Sequence, residues 1–264
     1  MALSFCSFSS GSSGNSYLVR TETTAILVDA GISCKRITDG LEKTNTPKEW
    51  LQGILLTHEH WDHVDGVKVM LKKYKDISIH ANEATFAAMK HKVKEERKVY
   101  FFSGDRFQIG DLDIESFSIS HDAADPVGYN IRHNKEQISI VTDTGVLNEE
   151  MLSRLEDADI LVIESNHDIE MLKQGPYPAH LKQRILGEEG HLSNEAAGNY
   201  VGRLMKAKEK ARCVLLAHLS KDNNLPNIAE QTVSNILESY GYCNGRDIYV
   251  KTVNRNEIST IYEI

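Results

Sequence analysis

The sequence has few cysteines and no long apolar run. Its four cysteines, Cys6, Cys34, Cys213 and Cys243, are scattered and form no Cys-x-x-Cys pair, which predicts reduced, mostly structural thiols in the cytosol. No apolar run approaches the length needed to cross a bilayer. The N-terminal residues show neither a basic nor an apolar stretch of the signal-peptide type. We therefore expect a cytoplasmic protein that does not associate with membranes.

Positive charge is also scarce. The chain carries 30 lysines and arginines against 38 aspartates and glutamates, a net charge of −8. Such a balance argues against a protein that coats nucleic acid by bulk electrostatics. It does not exclude a nuclease, because basic residues are clustered locally within residues 68–75, 90–98 and 206–212. Each of these runs taken singly is typical of a solvated helix face.

No stretch rich in proline, glycine and serine divides the chain into parts. A chain of 264 residues is long enough for one large α/β domain with a full core. We therefore predict a single domain over residues 1–264.

The motif His58-x-His60-x-Asp62-His63 is the most informative stretch of the sequence. It follows an apolar run that predicts a buried strand, and the residues after it predict the start of a helix. Three imidazoles and a carboxylate within six residues favour a transition-metal site. The alternative is a solvated polar loop, but a buried strand leads directly into the cluster.

This motif resembles the HxHxDH signature of the metallo-β-lactamase fold superfamily. The resemblance implies an αββα sandwich, an α/β fold in which two mixed sheets pack face to face with helices outside. The signature is specific for the fold and for a dinuclear metal site, and it says little about the substrate.

Further candidate ligands stand where other predicted strands end. They are His121, Asp143 and His218, and a histidine at a strand end is by itself more often structural. Seven ligands suit two divalent metals rather than one tetrahedral zinc. The superfamily pattern implies that one metal is held by His58, His60 and His121, that the other is held by Asp62, His63 and His218, and that Asp143 bridges them. This nitrogen and oxygen set is compatible with zinc, manganese or iron.

Later segments carry a second, narrower resemblance. Together with the Gly/Ser loop from Ser9 to Asn15, four segments resemble the YycJ/WalJ family of nucleases in their order. They are Glu164 to Asp168, Gly175 to Pro178, residues 182–185 and Gly190 to Asn194. The family implies a metal-dependent 5′→3′ exonuclease that acts on DNA, with DNA preferred to RNA, and a link to mismatch repair and its proteins. The oligomeric state is not indicated.

The resemblance also implies catalytic roles. A hydroxide bridging the two metals would attack the phosphorus while Asp62 orients it. By analogy with transfer-RNA 3′-processing enzymes, His191 would be the general acid, and Glu164 or a neighbouring residue would orient it. The alternative for His191 is an ordinary residue at a helix N-terminus.

Five residues are candidates for substrate contacts, and each has a simpler alternative. The Gly/Ser loop over residues 9–16 has many N–H groups and could hold an anion, or it is a flexible turn. Its candidates are Ser13 and Asn15. Lys182 and Arg184 are candidates for phosphate contacts or belong to a solvated helix face. His167 is a phosphate or proton contact, or a buried hydrogen-bonded histidine.

Other functions compete with the nuclease hypothesis. A glyoxalase II-like thioesterase uses the same seven ligands, and it predicts basic and tyrosine residues near the C-terminus for glutathione. An RNA-processing nuclease is a further alternative, although the chain lacks the long inserted domain of the larger RNA-degrading members. A di-iron redox protein is disfavoured, since His60 stands where that pattern has glutamate. A non-catalytic scaffold is disfavoured because every ligand position is filled.

Two structural expectations bear on the surroundings of the motif. Residues Glu83 to Lys94 predict one helix. Residues 99–102, 106–109 and 112–120 predict an antiparallel meander.

Overall fold

The computed structural model describes residues 2–210 and 212–264. In these residues the strands form two mixed sheets of seven strands each, which confirms the α/β class. The strands are β1 (Ser4–Ser9), β2 (Ser16–Arg20), β3 (Ala25–Val28), β4 (Leu51–Leu55), β5 (Ser78–Ala81), β6 (Lys98–Tyr100), β7 (Arg106–Ile109), β8 (Leu112–Ser118), β9 (Val127–His133), β10 (Glu136–Val141), β11 (Ile160–Glu164), β12 (Cys213–Ala217), β13 (Tyr249–Thr252) and β14 (Tyr262–Glu263).

The helices connect strands and flank the loops that carry the candidate residues. They are α1 (Cys34–Lys43), α2 (Trp61–Val64), α3 (Val67–Lys73), α4 (Glu83–Ala88), α5 (Glu149–Leu155), α6 (Ile169–Gln174), α7 (Ala179–Leu186), α8 (Asn194–Ala207) and α9 (Pro226–Ser239). No helix in residues 2–210 or 212–264 has both the length and the apolar character that a bilayer crossing requires.

The chain divides into two compact units. Unit 1 comprises the chain through Ser118, residues 123–136 and residues 254–264. Unit 2 comprises residues 119–122 and 137–253. The single domain predicted over residues 1–264 stays a prediction.

Unit 1 contains one complete sheet in the order β14-β1-β2-β3-β4-β5-β6. Strands β3 to β6 are parallel to one another, so their carboxyl ends meet at one edge of the sheet. Asp29 follows β3, and Leu56, Thr57 and His58 follow β4 at this edge. A core of aliphatic side chains from β3, β4 and β5 and from α1 and α3 fixes these strand ends. Unit 1 also contains the antiparallel strands β7, β8 and β9.

Unit 2 contains the parallel strands β10, β11, β12 and β13, which are neighbours in that order. Their apolar residues, such as Ile140, Ile163 and Leu216, are fully buried, as expected for a parallel sheet covered on both faces. Asp143 follows β10, Glu164 ends β11 and His218 follows β12. The parallel arrangement therefore brings three polar residues to one sheet edge.

Two expectations about local structure are wrong. Residues 98–100 form β6, which pairs in parallel with β5 and not with β7, because strand pairing is decided by non-local packing. The helix predicted to reach Lys94 ends at Ala88, since Met89 has extended backbone angles, and a 3₁₀ turn covers Glu95–Arg97. Between Lys90 and Lys94 only Val93 is buried, and the other side chains are exposed. No apolar face extends the helix there.

Candidate metal centre

The first cluster lies on the loop between β4 and α2 in unit 1. His60 is the N-cap residue of α2, and its Nδ1 lies 3.0 Å from Nε2 of His58. The rings of His58 and His63 have centroids 4.1 Å apart. Asp62 Oδ2 lies 3.7 Å from Nε2 of His63. The four residues of the sequence motif are therefore gathered in one place.

The buried carboxylate of Asp29 contacts this cluster through His63 and Thr57. Its carboxylate Oδ2 lies 2.7 Å from Nδ1 of His63, and both residues are fully buried. The same carboxylate accepts hydrogen bonds from the backbone N–H and the hydroxyl of Thr57, each at 2.9 Å. With Nδ1 of His63 donating to Asp29, Nε2 carries the lone pair that a metal needs. Asp29 has a φ of 61°, an unusual value for a non-glycine residue, at the end of β3.

The Gly/Ser loop holds the cluster from another side. The backbone N–H of Asn15 donates to the carbonyl of Asp62 at 2.7 Å, and the Asn15 side-chain amide lies 3.0 Å from Nε2 of His63. Gly31 is required here, because a Cβ at this position would lie 1.6 Å from the carbonyl oxygen of Asp62. The loop thereby fixes the backbone of the metal motif.

The second cluster lies in unit 2. Candidate ligand atoms of Asp143, Glu164, His191 and His218 all lie within 4.8 Å of one another. Oε1 of Glu164 accepts from Nδ1 of His191 and from Nδ1 of His218, each at 2.8 Å. Asp143 Oδ1 lies 3.2 Å from Nδ1 of His218. With Nδ1 of His218 turned to these carboxylates, Nε2 is the ring atom placed to bind a metal.

His121, the remaining predicted ligand, is also in unit 2. Its Nδ1 lies 3.2 Å from the carbonyl oxygen of Glu189, and its ring centroid lies 5.4 Å from that of His191. Burial lowers the pKa of His121, which favours the neutral imidazole that binds metals. The structure thus places four predicted ligands together in unit 1 and three in unit 2.

The charges of unit 2 centre on a buried ion pair. Burial alone would raise the pKa of Glu164, but the charge of His191 and the hydrogen bonds from His191 and His218 lower it to about 2. Burial opposes the protonation of His191, yet Glu164 outweighs it and raises the pKa of His191 to about 9. Glu164 is therefore ionised and His191 is protonated near neutral pH.

The donor sets of the two clusters fit divalent metals. Imidazole nitrogens and carboxylate oxygens are the ligands that zinc, manganese and non-haem iron accept in proteins. Carboxylates fix the tautomers of His63 and His218, as is usual for metal-binding histidines.

The predicted substrate contacts have different surroundings. Ser13 is exposed, whereas Asn15 is buried beneath His63. Lys182 and Arg184 lie on α7, and Arg184 Nε donates to Asp122 Oδ2 at 2.7 Å. His167 is 1% exposed, and burial lowers its pKa to about 4, so its ring is neutral. The role of all five in substrate binding stays a prediction.

A buried amide network, which sequence patterns do not predict, also supports the second cluster. Asn224 donates to the carbonyls of Ser165 and Asn166 at 2.9 and 3.1 Å and to the side-chain oxygen of Asn194 at 2.8 Å. Asn166 in turn donates to the carbonyl of His218 at 2.9 Å. No local spacing reveals these contacts, because the residues are far apart in the chain. Thr57, which contacts Asp29 and His58, was missed although it directly precedes the motif.

Comparisons with known proteins agree with this architecture. The profile of the beta-lactamase superfamily domain matches residues 24–219. The chain is 39% identical over 245 residues to exodeoxyribonuclease YycJ of Bacillus anthracis, covering 92% of each protein. It is 40% identical over 260 residues to exodeoxyribonuclease WalJ of Streptococcus pneumoniae serotype 2 (strain D39), covering 97% of this chain and 96% of the relative.

A solved structure supports the fold independently. The metallo-beta-lactamase fold protein YhfI of Bacillus subtilis superimposes with a TM-score of 0.75 over 100% of both chains, at 14% identity. At that identity the likeness bears on the fold alone, and it confirms the predicted metallo-β-lactamase fold.

Proposed function

Because the chain belongs to the YycJ/WalJ family within the beta-lactamase superfamily, and is accordingly a metal-dependent hydrolase of the nuclease class, we propose that it is a 5′→3′ exonuclease acting on DNA. The observation that carries this proposal is the similarity to two exodeoxyribonucleases over more than nine tenths of the chain. The polarity, the preference for DNA over RNA and a role in mismatch repair rest on this family membership.

The location and partners are part of the same proposal. All four cysteines are free thiols, which supports a reducing compartment and hence the cytoplasm. A role in mismatch repair would bring DNA-repair proteins as partners.

We infer that two divalent cations, manganese or zinc with iron as a further option, serve the reaction. The family motif supports the assignment of His58, His60 and His121 to one metal, of Asp62, His63 and His218 to the other, and of Asp143 to both. Such cations, when bound, lower the pKa of water and polarise a phosphoryl oxygen.

The protein's own residues supply the proton transfers. His191 is protonated and its Nδ1 is held by Glu164, so its Nε2–H is the donor for the departing sugar oxygen. Glu164 acts through His191 and is a positioning residue. Asp62, next to His63, orients the attacking water.

One assay separates the competing functions. Purified protein with manganese or zinc is incubated with 5′- or 3′-labelled duplex DNA, with RNA of the same sequence and with a glutathione thioester. We expect stepwise release of nucleotides from the 5′ end of DNA. Asp143→Ala should abolish cleavage, and His180→Ala, at an exposed position on α7, serves as the matched control.

Other results would reject the proposal. Thioester turnover without cleavage of nucleic acid would establish the glyoxalase II-like alternative. Faster cleavage of RNA than of DNA would establish an RNA-processing nuclease, and release from the 3′ end would reverse the polarity. Activity that survives Asp143→Ala would indicate a contaminating nuclease.

A further inference from the structure

A cavity of about 230 Å³ opens beside the metal motif, entirely within unit 1. The loop and the first turn of α2 form one wall with His60, Trp61 and Val64, and the end of α4 and the residues after it form the other with Ala88, Lys90 and His91. His60 belongs to this wall and also to the histidine cluster, where its Nδ1 lies 3.0 Å from Nε2 of His58. A group bound in the cavity is therefore next to the candidate metal ligands.

Trp61 is the largest apolar side chain of the cavity, and 59% of it is exposed. Trp61 lies between two predicted ligands, His60 and Asp62, on the short helix α2, whose residues His63 and Val64 are buried. The backbone that carries the indole is thus rigid. A tryptophan has only two side-chain torsions, so its side chain loses little conformational entropy when a ring stacks on it.

The size and chemistry of the cavity suit one flat, uncharged ring system. An engineered cavity of roughly 150 Å³ accommodates benzene, so the larger cavity here has room for a nucleobase. The carboxylates of Glu59 and Asp65 also line the cavity and would repel a phosphate inside it. Lys90 also lines the cavity and is exposed, so its ammonium group is available to the sugar-phosphate backbone of a bound strand.

We propose that this cavity binds one unstacked nucleobase of the strand being degraded, stacked on the indole of Trp61. The inference rests on the proposed nuclease function and adds a binding site for the base beside the cleavage site. Stacking on an aromatic side chain tolerates any base, as an exonuclease that removes successive nucleotides requires.

The first test measures binding without catalysis. The protein has two tryptophans, so a Trp50→Phe background leaves Trp61 as the only indole reporter. With EDTA present, a single-stranded oligonucleotide should quench the Trp61 fluorescence saturably. The same strand with abasic sites at its 5′-terminal nucleotides should quench much less. Absence of quenching, or equal quenching by the abasic strand, would overturn the proposal.

The second test combines the side chain and the base in one thermodynamic cycle. Affinity for the intact strand should fall about 10- to 100-fold in Trp61→Ala and much less in Trp61→Phe, as expected for the loss of one stacked base. Trp61→Ala should weaken binding of the abasic strand far less, because the two changes remove the same contact. Phe102→Ala, at another exposed aromatic that does not line this cavity, is the matched control.

Failure of the base site can be told apart from failure of the nuclease proposal. If Trp61→Ala weakens the binding of the intact and the abasic strand equally, Trp61 stabilises the loop and does not contact a base. The base site is then rejected, whatever substrate the enzyme hydrolyses. If the wild-type protein cleaves no nucleic acid but quenching depends on the base, the nuclease proposal fails and the base site stands.

Discussion

At the scale of single residues, buried carboxylates determine what the histidines can do. Asp29 holds Nδ1 of His63, and Glu164 holds Nδ1 of both His191 and His218. In each histidine, Nε2 is the ring nitrogen that these carboxylates do not contact. For His63 and His218 that atom suits a metal, whereas the protonated His191 offers a proton instead. One carboxylate, Glu164, thus orients a candidate ligand and the candidate acid together.

His191→Ala tests the role of the acid. We expect its kcat on DNA to fall about 10²- to 10⁴-fold, because a general acid contributes that much to a proton transfer. Metal content measured by atomic absorption should stay at the wild-type level, since His191 is not among the seven proposed ligands. Undiminished kcat would remove His191 as the acid, and loss of metal would make it a ligand.

We expect the Asp143 carboxylate to favour metal binding but to destabilise the folded protein when no metal is bound. It is buried in the left-handed backbone region, with a φ of 58°, near the ionised Glu164. Asn tolerates this backbone conformation and removes one buried negative charge. In EDTA we therefore expect Asp143→Asn to raise the free energy of unfolding by about 1 kcal/mol, which shifts Tm by roughly 2–4 °C.

With zinc or manganese present, we expect the wild type to be more stable than Asp143→Asn. A metal that binds only the folded state stabilises it by mass action, and the wild type should gain more than the variant. Differential scanning fluorimetry with and without metal measures both effects. A variant that is less stable than the wild type in EDTA would contradict this account of Asp143.

At the scale of elements, parallel strands explain why functional residues converge. Asp29 directly follows β3 and His218 directly follows β12, while Asp143 is the second residue after β10. All three residues have positive φ. Backbone strain of this kind typically costs about 1–3 kcal/mol and is commonly found at functional sites. At these strand ends the backbone conformation positions functional side chains at a cost in stability.

The antiparallel strands β7, β8 and β9 of unit 1 are instead built for stability. Glu115 on β8 is buried, and its carboxylate lies 3.1 Å from Arg106 on β7 and 2.7 Å from Arg132 on β9. Burial raises the pKa of Glu115, but the two guanidinium groups outweigh it and lower the pKa below 4.5. We expect Glu115→Gln to destabilise the protein by about 2 kcal/mol at pH 7, because charge-assisted hydrogen bonds are lost.

The pH dependence of that difference follows from the sign of the shift. A lowered pKa in the folded state stabilises the protein at pH values above the unfolded pKa of about 4.5, and this contribution is lost as the pH falls through the folded pKa. Urea unfolding of wild type and variant between pH 3 and pH 7 measures it. Glu150→Gln, which breaks an exposed pair with Arg154, should change little. A difference that grows towards low pH would contradict the assignment.

Sequence reasoning reached the metal motif because its four residues are local and the strand before it is strongly apolar. It reached Asp143 and His218 through a family pattern and the rule that polar residues follow buried strands. It could not find Asn224, whose partners Ser165 and Asn194 are at least 30 residues away. The predicted pairing of β6 was wrong for the same reason, because non-local contacts determine which strand pairs with it.

At the scale of the whole molecule, the chain passes repeatedly between the two compact units. It crosses after Ser118, after Asp122, after Glu136 and after Val253. None of these crossings has the proline-, glycine- and serine-rich composition of a flexible linker. Unit 1 is therefore completed only by segments that come after parts of unit 2. Neither unit is a continuous piece of chain that could fold before the other is made.

We expect this interleaving to make unfolding a single cooperative event. Scanning calorimetry in EDTA should show one transition whose calorimetric and van't Hoff enthalpies agree, with an enthalpy of about 180 kcal/mol near 60 °C for a chain of this length. EDTA matters because bound metals would add cooperativity of their own. Two resolved transitions, each with about half of that enthalpy, would contradict the prediction of one domain. In that case the variants Glu115→Gln in unit 1 and Asp143→Asn in unit 2 would each shift a different transition, whereas in a single domain both act on the same one.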